Sequence, residues 1–465
     1  MSVARGATAA AGQLPLELTT HLQALEIEPD WKVQQRLWGH SFHPMCSYLA
    51  SFPAALAHAF IDRYTRPGDV VVDPFSGRGT TPLQAVAEGR VGVGNDLNPF
   101  AHLFTSAKIE PAARAEAVTR LLGLQLGWRS SAGAWLELAR AVVASPGTPG
   151  VLVPGAGSRE LPGRGGELVP PEVAVAFHSE TLAQVLYVRS ELDLDDRPDR
   201  FLAAALAGAL HGKTPSYLST VMPNTFSMAP RYVRDFVRRN GYEAPRRDLF
   251  ELLEAKLRRL YRDPLPSSPG VALLGDARDA SGPIRGALRT RGLPERARLV
   301  VTSPPYLRVV KYGYYNWLRT WFLGFSSTAI DAALDDAHHR EPYLQFLREV
   351  LADLRGILAD DAVVVLVIGD VETDRGRRIR NGVGLAEAAW EEAAAPEGYR
   401  LAGLALDEVS AARKMTRLWG DEAGRATKVD RILVMGATEK GRRRALSGAG
   451  LPVDWTWPPR RLRAL

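Results

Sequence analysis

Cysteine is almost missing from this chain: Cys46 is the only one in 465 residues. An intrachain disulfide therefore cannot form, and a cysteine-rich zinc site is excluded. Long hydrophobic runs are missing too. The stretch "FLAAALAGAL" (201–210) is among the longest, against the roughly 18 residues that a membrane span needs. The N-terminal "MSVARGATAAAGQLPLELTT" has no apolar signal-peptide core. Histidine pairs at metal-ligand spacing are also absent. The "HH" at 338–339 has no third partner and no His-x-x-x-His occurs, so we read surface histidines and expect no metal. These absences describe a soluble, cytoplasmic protein.

Apolar residues make up 46% of the chain, enough for two domains or for one large domain with an insertion. The net charge of +6 and the pI of about 9.4 suit a polyanionic partner. From Thr438 onward, Lys440, Arg442, Arg443, Arg444, Arg460, Arg461 and Arg463 face only Glu439 and Asp454, so this segment supplies five of the six net charges. It fits a solvated basic tail and a phosphate contact equally well.

Residues 68–82 read "GDVVVDPFSGRGTTP". Val70, Val71 and Val72 suit a buried parallel strand between Gly68 and Pro74. Gly77 and Gly79 follow, then "TTPLQAVAEGR", which predicts a helix ending near Gly89. Strand, glycine turn and helix make a mononucleotide-binding unit: the glycines let a ligand approach the backbone, and the helix offers free N–H groups. A second short strand, "VGVGND" (91–96), ends in Asp96, placed to hold the two hydroxyls of a ribose. The loop lacks the third glycine of the dinucleotide fingerprint, which disfavours a pyrophosphate ligand.

A second unusual stretch is "RLVVTSPPYLRVVKYGYYNW" (298–317), in which an apolar strand runs into Ser303, Pro304, Pro305 and Tyr306. Proline fixes φ and lacks an N–H donor, so the strand must already have ended there.

Together, "DPFSGRGTT" (73–81) and "TSPPY" (302–306) resemble the cofactor loop and the catalytic loop of amino-group DNA methyltransferases. The segment "HPMCSYLASFPAALAHAFIDRYTRPGD" (43–69) is similar to that family's leading helix, "GNDLNPFA" (94–101) to its acidic turn and "LLGDARD" (273–279) to its next strand end. The resemblance covers about 40–110 and 270–437. It implies an α/β fold, a Rossmann-like class I methyltransferase sheet with a largely helical insertion, and S-adenosylmethionine as cofactor. It also implies that Asp73, Pro74, Phe75, Gly77, Gly79, Thr80 and Asp96 bind the cofactor, with Asp276 near its adenine amino group. Ser303, Pro304, Pro305 and Tyr306 would carry catalysis. Ser303 and the Pro304 carbonyl would hold the two N–H bonds of an exocyclic amino group, and Tyr306 would stack on the base. In that family Ser-Pro-Pro-Tyr is most frequent among cytosine-N4 enzymes, which implies that base. Base flipping is implied because the amino group is unreachable inside a duplex. Cys46 lies far from the Pro-Pro loop in sequence, so a cysteine-dependent attack on cytosine carbon 5 is disfavoured.

The implied partner is DNA, the chromosome of a prokaryotic nucleoid, with a cognate restriction enzyme as a possible companion. Adenine N6 and an RNA amino group stay open as targets. A non-catalytic DNA-binding subunit is the remaining reading, opposed by intact Gly77, Gly79, Asp96, Ser303 and Tyr306.

We divide the chain into an N-terminal segment with the cofactor half (1–110), a helical insertion housing target recognition (111–270), the catalytic half (271–437) and the basic tail (438–465). Within the insertion, 144–171 is rich in glycine and proline and reads as a loop or a partly disordered stretch. The helix "APRYVRDFVRRNG" (229–241) places Arg231, Arg234 and Arg238 on one face, a row able to track DNA phosphates. "AGALHGKT" (207–214) only mimics a phosphate loop, because its first glycine is replaced by Ala207. Further on, 343–358 predicts a helix, and 362–371 and 427–436 predict strands of the sheet.

Overall fold

The computed structural model describes residues 21–35, 37–48, 51–147, 151–162, 166–212, 216–220, 229–305, 311–334, 339–369, 384–408 and 429–458. The valine run after Gly68 forms β1 (Val70–Asp73), and its three valines are fully buried, as a strand covered on both faces requires. β2 is Val91–Asp96. A small antiparallel ribbon of β3 (Leu152–Val153) and β4 (Glu167–Leu168) stands apart from the sheet. β5 (Gly270–Leu274), β6 (Ala297–Thr302), β7 (Leu358–Gly369), β8 (Arg400–Glu408) and β9 (Val429–Gly436) complete the strands.

Seven strands form one sheet in the order β5-β2-β1-β6-β7-β9-β8. The first five in that order are parallel, and β9 is antiparallel to both neighbours. The chain adds β2 and β5 on one side of β1, then returns to add β6 on the other. The reversal between β1 and β6 opens a crevice beyond their carboxyl ends, which is where open α/β sheets bind ligands. The glycine loop leaves β1 and the Ser-Pro-Pro loop leaves β6 at that end. The architecture is the Rossmann-like α/β sheet of the class I methyltransferases.

Helices pack on these strands, and a longer one leads into the insertion. α1 (Ala54–Tyr64) begins after Pro53 and is buried along almost its whole length against the sheet. α2 (Thr80–Ala87) starts from Gly79, and α3 (Pro99–Ile109) is capped by the Asn98 side chain, which accepts from the Phe100 N–H. The 31-residue α4 (Arg114–Ala144) extends about 46 Å into the insertion. There it shares a core with the helices Ser179–Glu191, Arg197–Ala207 and Leu249–Leu260, and with Trp317–Phe322 from beyond the Ser-Pro-Pro loop.

Two segments differ from the sequence expectation. The glycine- and proline-rich stretch contains the β3–β4 ribbon, anchored by the buried Arg189. That guanidinium donates to the carbonyls of Pro154 (3.1 Å) and Trp321 (3.0 Å) and to Glu167 (2.5 Å). The basic segment after Thr438 is not a free tail as far as Ala449, because Glu439–Ala449 is a helix packed on the sheet. Arg442 donates to the carbonyl of Leu401 (2.7 Å), and Arg444 to those of Tyr64 (2.7 Å) and Asp361 (3.1 Å). The Tyr64 hydroxyl in turn donates to the Ala445 carbonyl (3.1 Å). Arg460, Arg461 and Arg463 lie outside the described residues.

Candidate functional site

The carboxyl end of β1 is built around Asp73, which is 2% exposed. Its Oδ1 accepts from the Thr302 hydroxyl at 2.6 Å and from the Phe75 N–H at 3.1 Å. Burial raises its pKa to about 7, against those hydrogen bonds, which favour the carboxylate. The Thr81 hydroxyl donates to the Val301 carbonyl at 3.0 Å. The glycine loop and the end of β6 are thus stapled together at two points.

Gly77 and Gly79 have φ of +51° and +73°, the left-handed region that favours glycine. At Gly79 a Cβ would stand 2.8 Å from the Thr105 hydroxyl and 2.9 Å from its Cα, so no side chain fits. At Gly77 it would touch the ring of Tyr48 at 3.4 Å. Thr80 accepts from Arg78 Nε at 3.2 Å and is buried at the start of α2, as is Pro74 at the start of the loop.

Asp96 closes the loop from the neighbouring strand. Oδ2 accepts the Gly77 N–H at 2.8 Å and Oδ1 the Asn98 N–H at 2.9 Å. Burial raises its pKa to about 6 while the two amides pull it down. Each carboxylate oxygen still has a lone pair for a hydroxyl donor. One strand further out, Asp276 behaves differently from a free acceptor. Arg278 holds it in a two-pronged ion pair, 2.6 Å at the closest, and keeps its carboxyl below the usual range. An amino group approaching Asp276 must share it with that guanidinium. Phe75 packs against Phe346 (5.7 Å between centroids), over which Arg278 also lies (5.6 Å).

Across the crevice, Ser303 and Pro305 are half-buried and Pro304 is buried. Ser303 Oγ is inaccessible and makes no hydrogen bond among the described residues. A buried hydroxyl without a partner costs stability. Tyr306 lies outside the described residues. Tyr48 stacks on Phe100 (5.9 Å) and on Tyr312 (5.8 Å), bridging the leading segment, α3 and the chain after the Ser-Pro-Pro loop.

The structure thus brings Asp73, Gly77, Gly79, Thr80, Asp96 and Ser303 to one crevice. Sequence reasoning missed Thr302, Tyr48 and Thr105. Thr302 had a signal, since it stands directly before Ser303; the other two had none. The arginine row is elsewhere: its helix, Pro230–Asn240, packs on Pro171–Ala176 through buried Val233. Arg234 pairs with Glu172 (3.2 Å) and Arg238 with Asp235 (3.7 Å), which leaves Arg231 as the exposed member without an ion pair among the described residues. No cluster able to hold a metal ion occurs among the described residues, and no described helix is long and apolar enough to cross a membrane.

A sheet of this order, with a glycine loop after its first strand and a Ser-Pro-Pro loop after its fourth, has the class I methyltransferase fold. Residues 23–106 match the DNA methylase family, so that segment is similar to those enzymes. It is 35% identical over 71 residues to the type II methyltransferase M.MjaII of Methanocaldococcus jannaschii, 15% of this chain and 13% of that one. It is 37% identical over 67 residues to M.Cfr9I of Citrobacter freundii, 14% of this chain and 22% of that one. The match therefore spans less than a quarter of either relative. An rRNA methyltransferase structure from Streptomyces viridochromogenes aligns over 87% of this chain and 91% of its own, at 10% identity and a TM-score of 0.29. The fold assignment rests instead on the strand order itself.

The residues present fit S-adenosylmethionine. The left-handed glycines leave the backbone open to a ligand, Asp96 faces the loop from β2, and the Ser303 hydroxyl, without a partner among the described residues, stands at the end of β6.

Proposed function

We propose that this protein is an S-adenosylmethionine-dependent DNA methyltransferase that modifies an exocyclic amino group, cytosine N4 in the first place, on a base flipped out of the duplex. The observation that carries the reading is the buried Ser303 hydroxyl, without a partner among the described residues, beside Pro304 in a loop tied to the cofactor loop through Thr302 and Asp73.

Bound S-adenosylmethionine supplies an electrophilic methyl group. The protein's task is to make a poor nucleophile competent, because the lone pair of the amino nitrogen is delocalised into the base ring. Ser303 Oγ accepts one N–H and the Pro304 carbonyl the other, which favours a tetrahedral nitrogen whose lone pair is free to attack. Two prolines hold that loop in shape before the base arrives, so little ordering cost remains. Tyr306 stacks on the base. Asp96 binds the ribose hydroxyls, and Gly77, Gly79 and Thr80 with Asp73, Pro74 and Phe75 form the cofactor loop. The insertion, 111–270, reads the target, with Arg231, Arg234 and Arg238 against phosphates. The type II relatives suggest a restriction–modification setting in the cytoplasm, with a cognate nuclease.

The test is incubation with S-adenosylmethionine and unmodified genomic DNA, followed by mass spectrometry of the nucleosides. N4-methylcytosine is expected. N6-methyladenine would overturn the choice of base while keeping the reaction, and methylation of RNA alone would overturn DNA as the substrate.

A further inference from the structure

Three cations are buried behind the cofactor loop: Lys108 (0% exposed), Lys256 (8%) and Arg319 (3%). They come from α3, from the insertion helix Leu249–Leu260 and from the helix Trp317–Phe322. None makes an ion pair among the described residues. Lys108 Nζ donates to the Arg78 carbonyl at 2.6 Å, inside the Gly77–Gly79 turn. Lys256 Nζ donates to the Met45 carbonyl at 2.7 Å. Arg319 donates to the carbonyl and the hydroxyl of Ser47, both at 3.1 Å, and to Asn316 (2.9 Å). Burying a cation without a counter-charge costs several kcal/mol, and an apolar side chain would fill each position without that cost.

What the three share is where their donors go. Met45 and Ser47 lead into Tyr48, whose ring lies over Gly77, and Arg78 is the residue between the two left-handed glycines. We propose that Lys108 and Lys256 are positioning residues of the cofactor site, which fix through main-chain carbonyls the two segments that meet at Tyr48 and Gly77, with Arg319 closing the same joint from the catalytic half. The choice of lysine has a physical reason. Burial lowers the pKa of both lysines, that of Lys256 to about 7. A buried lysine gives up its proton more readily than a buried arginine. The amine donates its hydrogen bond to the carbonyl in either protonation state, so the loop is held by geometry. This inference rests on the cofactor reading above.

The near-isosteric Lys108→Met and Lys256→Met test it, each read two ways. Amide hydrogen exchange followed by mass spectrometry should speed up about tenfold or more in peptides covering 45–48 and 77–79, with β6 and β7 unchanged. The Kd and KM for S-adenosylmethionine should rise about tenfold or more, while kcat at saturating cofactor is kept. Unchanged exchange at both segments, or a uniform speeding across the sheet, would overturn the positioning role. If the unsubstituted protein bound no S-adenosylmethionine, the proposed function would fall, and the exchange data would still decide whether the lysines hold the loop.

Discussion

Thr302 donates its hydroxyl hydrogen to Asp73 across 2.6 Å, so the last residue of β6 and the last residue of β1 are one unit. The strand ends that carry the two sequence motifs are held in register by side chains as well as by the sheet ladder. Anything that shifts the glycine loop is felt at Ser303, one residue past Thr302.

Thr302→Val keeps the shape and removes the bond, leaving a buried carboxyl short of a donor. Stability should fall by about 1–3 kcal/mol in urea denaturation, and turnover should fall with it at saturating cofactor. A midpoint equal to the parent's would show that the bond contributes nothing.

The pH dependence of stability follows from Asp73 and Asp96, whose pKa values are raised to about 7 and about 6. An acid with a raised pKa in the folded state keeps its proton there while the unfolded chain has lost it. Their contribution is therefore greatest below about pH 4, falls as the pH rises to about 7, and is level above that. Asp73→Asn is uncharged throughout and still accepts from Thr302. The drop in urea midpoint between about pH 4.5 and pH 7.5 should be smaller in this variant than in the parent; an equal drop would rule Asp73 out as its source.

Ser303→Ala deletes a hydroxyl that has no partner among the described residues. Stability should stay within about 0.5 kcal/mol of the parent, and cofactor affinity by calorimetry should be unchanged. Turnover should fall about a hundredfold or more. Retained turnover would remove Ser303 as the acceptor for the amino group.

Arg231 is exposed and makes no ion pair among the described residues, whereas Arg234 already holds Glu172. If the helix follows DNA, Arg231→Ala should reduce the slope of log affinity against log salt by about one, and Arg234→Ala by less. Equal slopes for both variants and the parent would place DNA on another face.

Much of the crevice was legible because short motifs carry their own backbone requirements. Val70–Val72 suit a buried strand, and the glycines after it suit a turn. What stayed hidden was contact made at long range. Thr302 and Asp73 are 229 positions apart, and nothing local in either stretch says that they meet. β8, "RLAGLALDE", mixes small residues with no clear alternation and gave no strand signal. The basic run after Thr438 shows its charge in sequence but not its destination, because arginines that donate to carbonyls look in sequence like arginines in water. The resemblance implies Asp276 near the adenine amino group, and only the fold shows Arg278 wrapped on it.

The pairing of Tyr64 with Ala445 spans 381 positions. During synthesis, the helix that leads into the glycine loop emerges from the ribosome long before the segment that braces it. β1 likewise waits for β6. The nascent protein should therefore hold its first hundred residues as an unfinished surface, exposed to chaperones, until the late strands and the helix Glu439–Ala449 arrive. Under the proposed function, a chain cut short before that helix would transfer no methyl group.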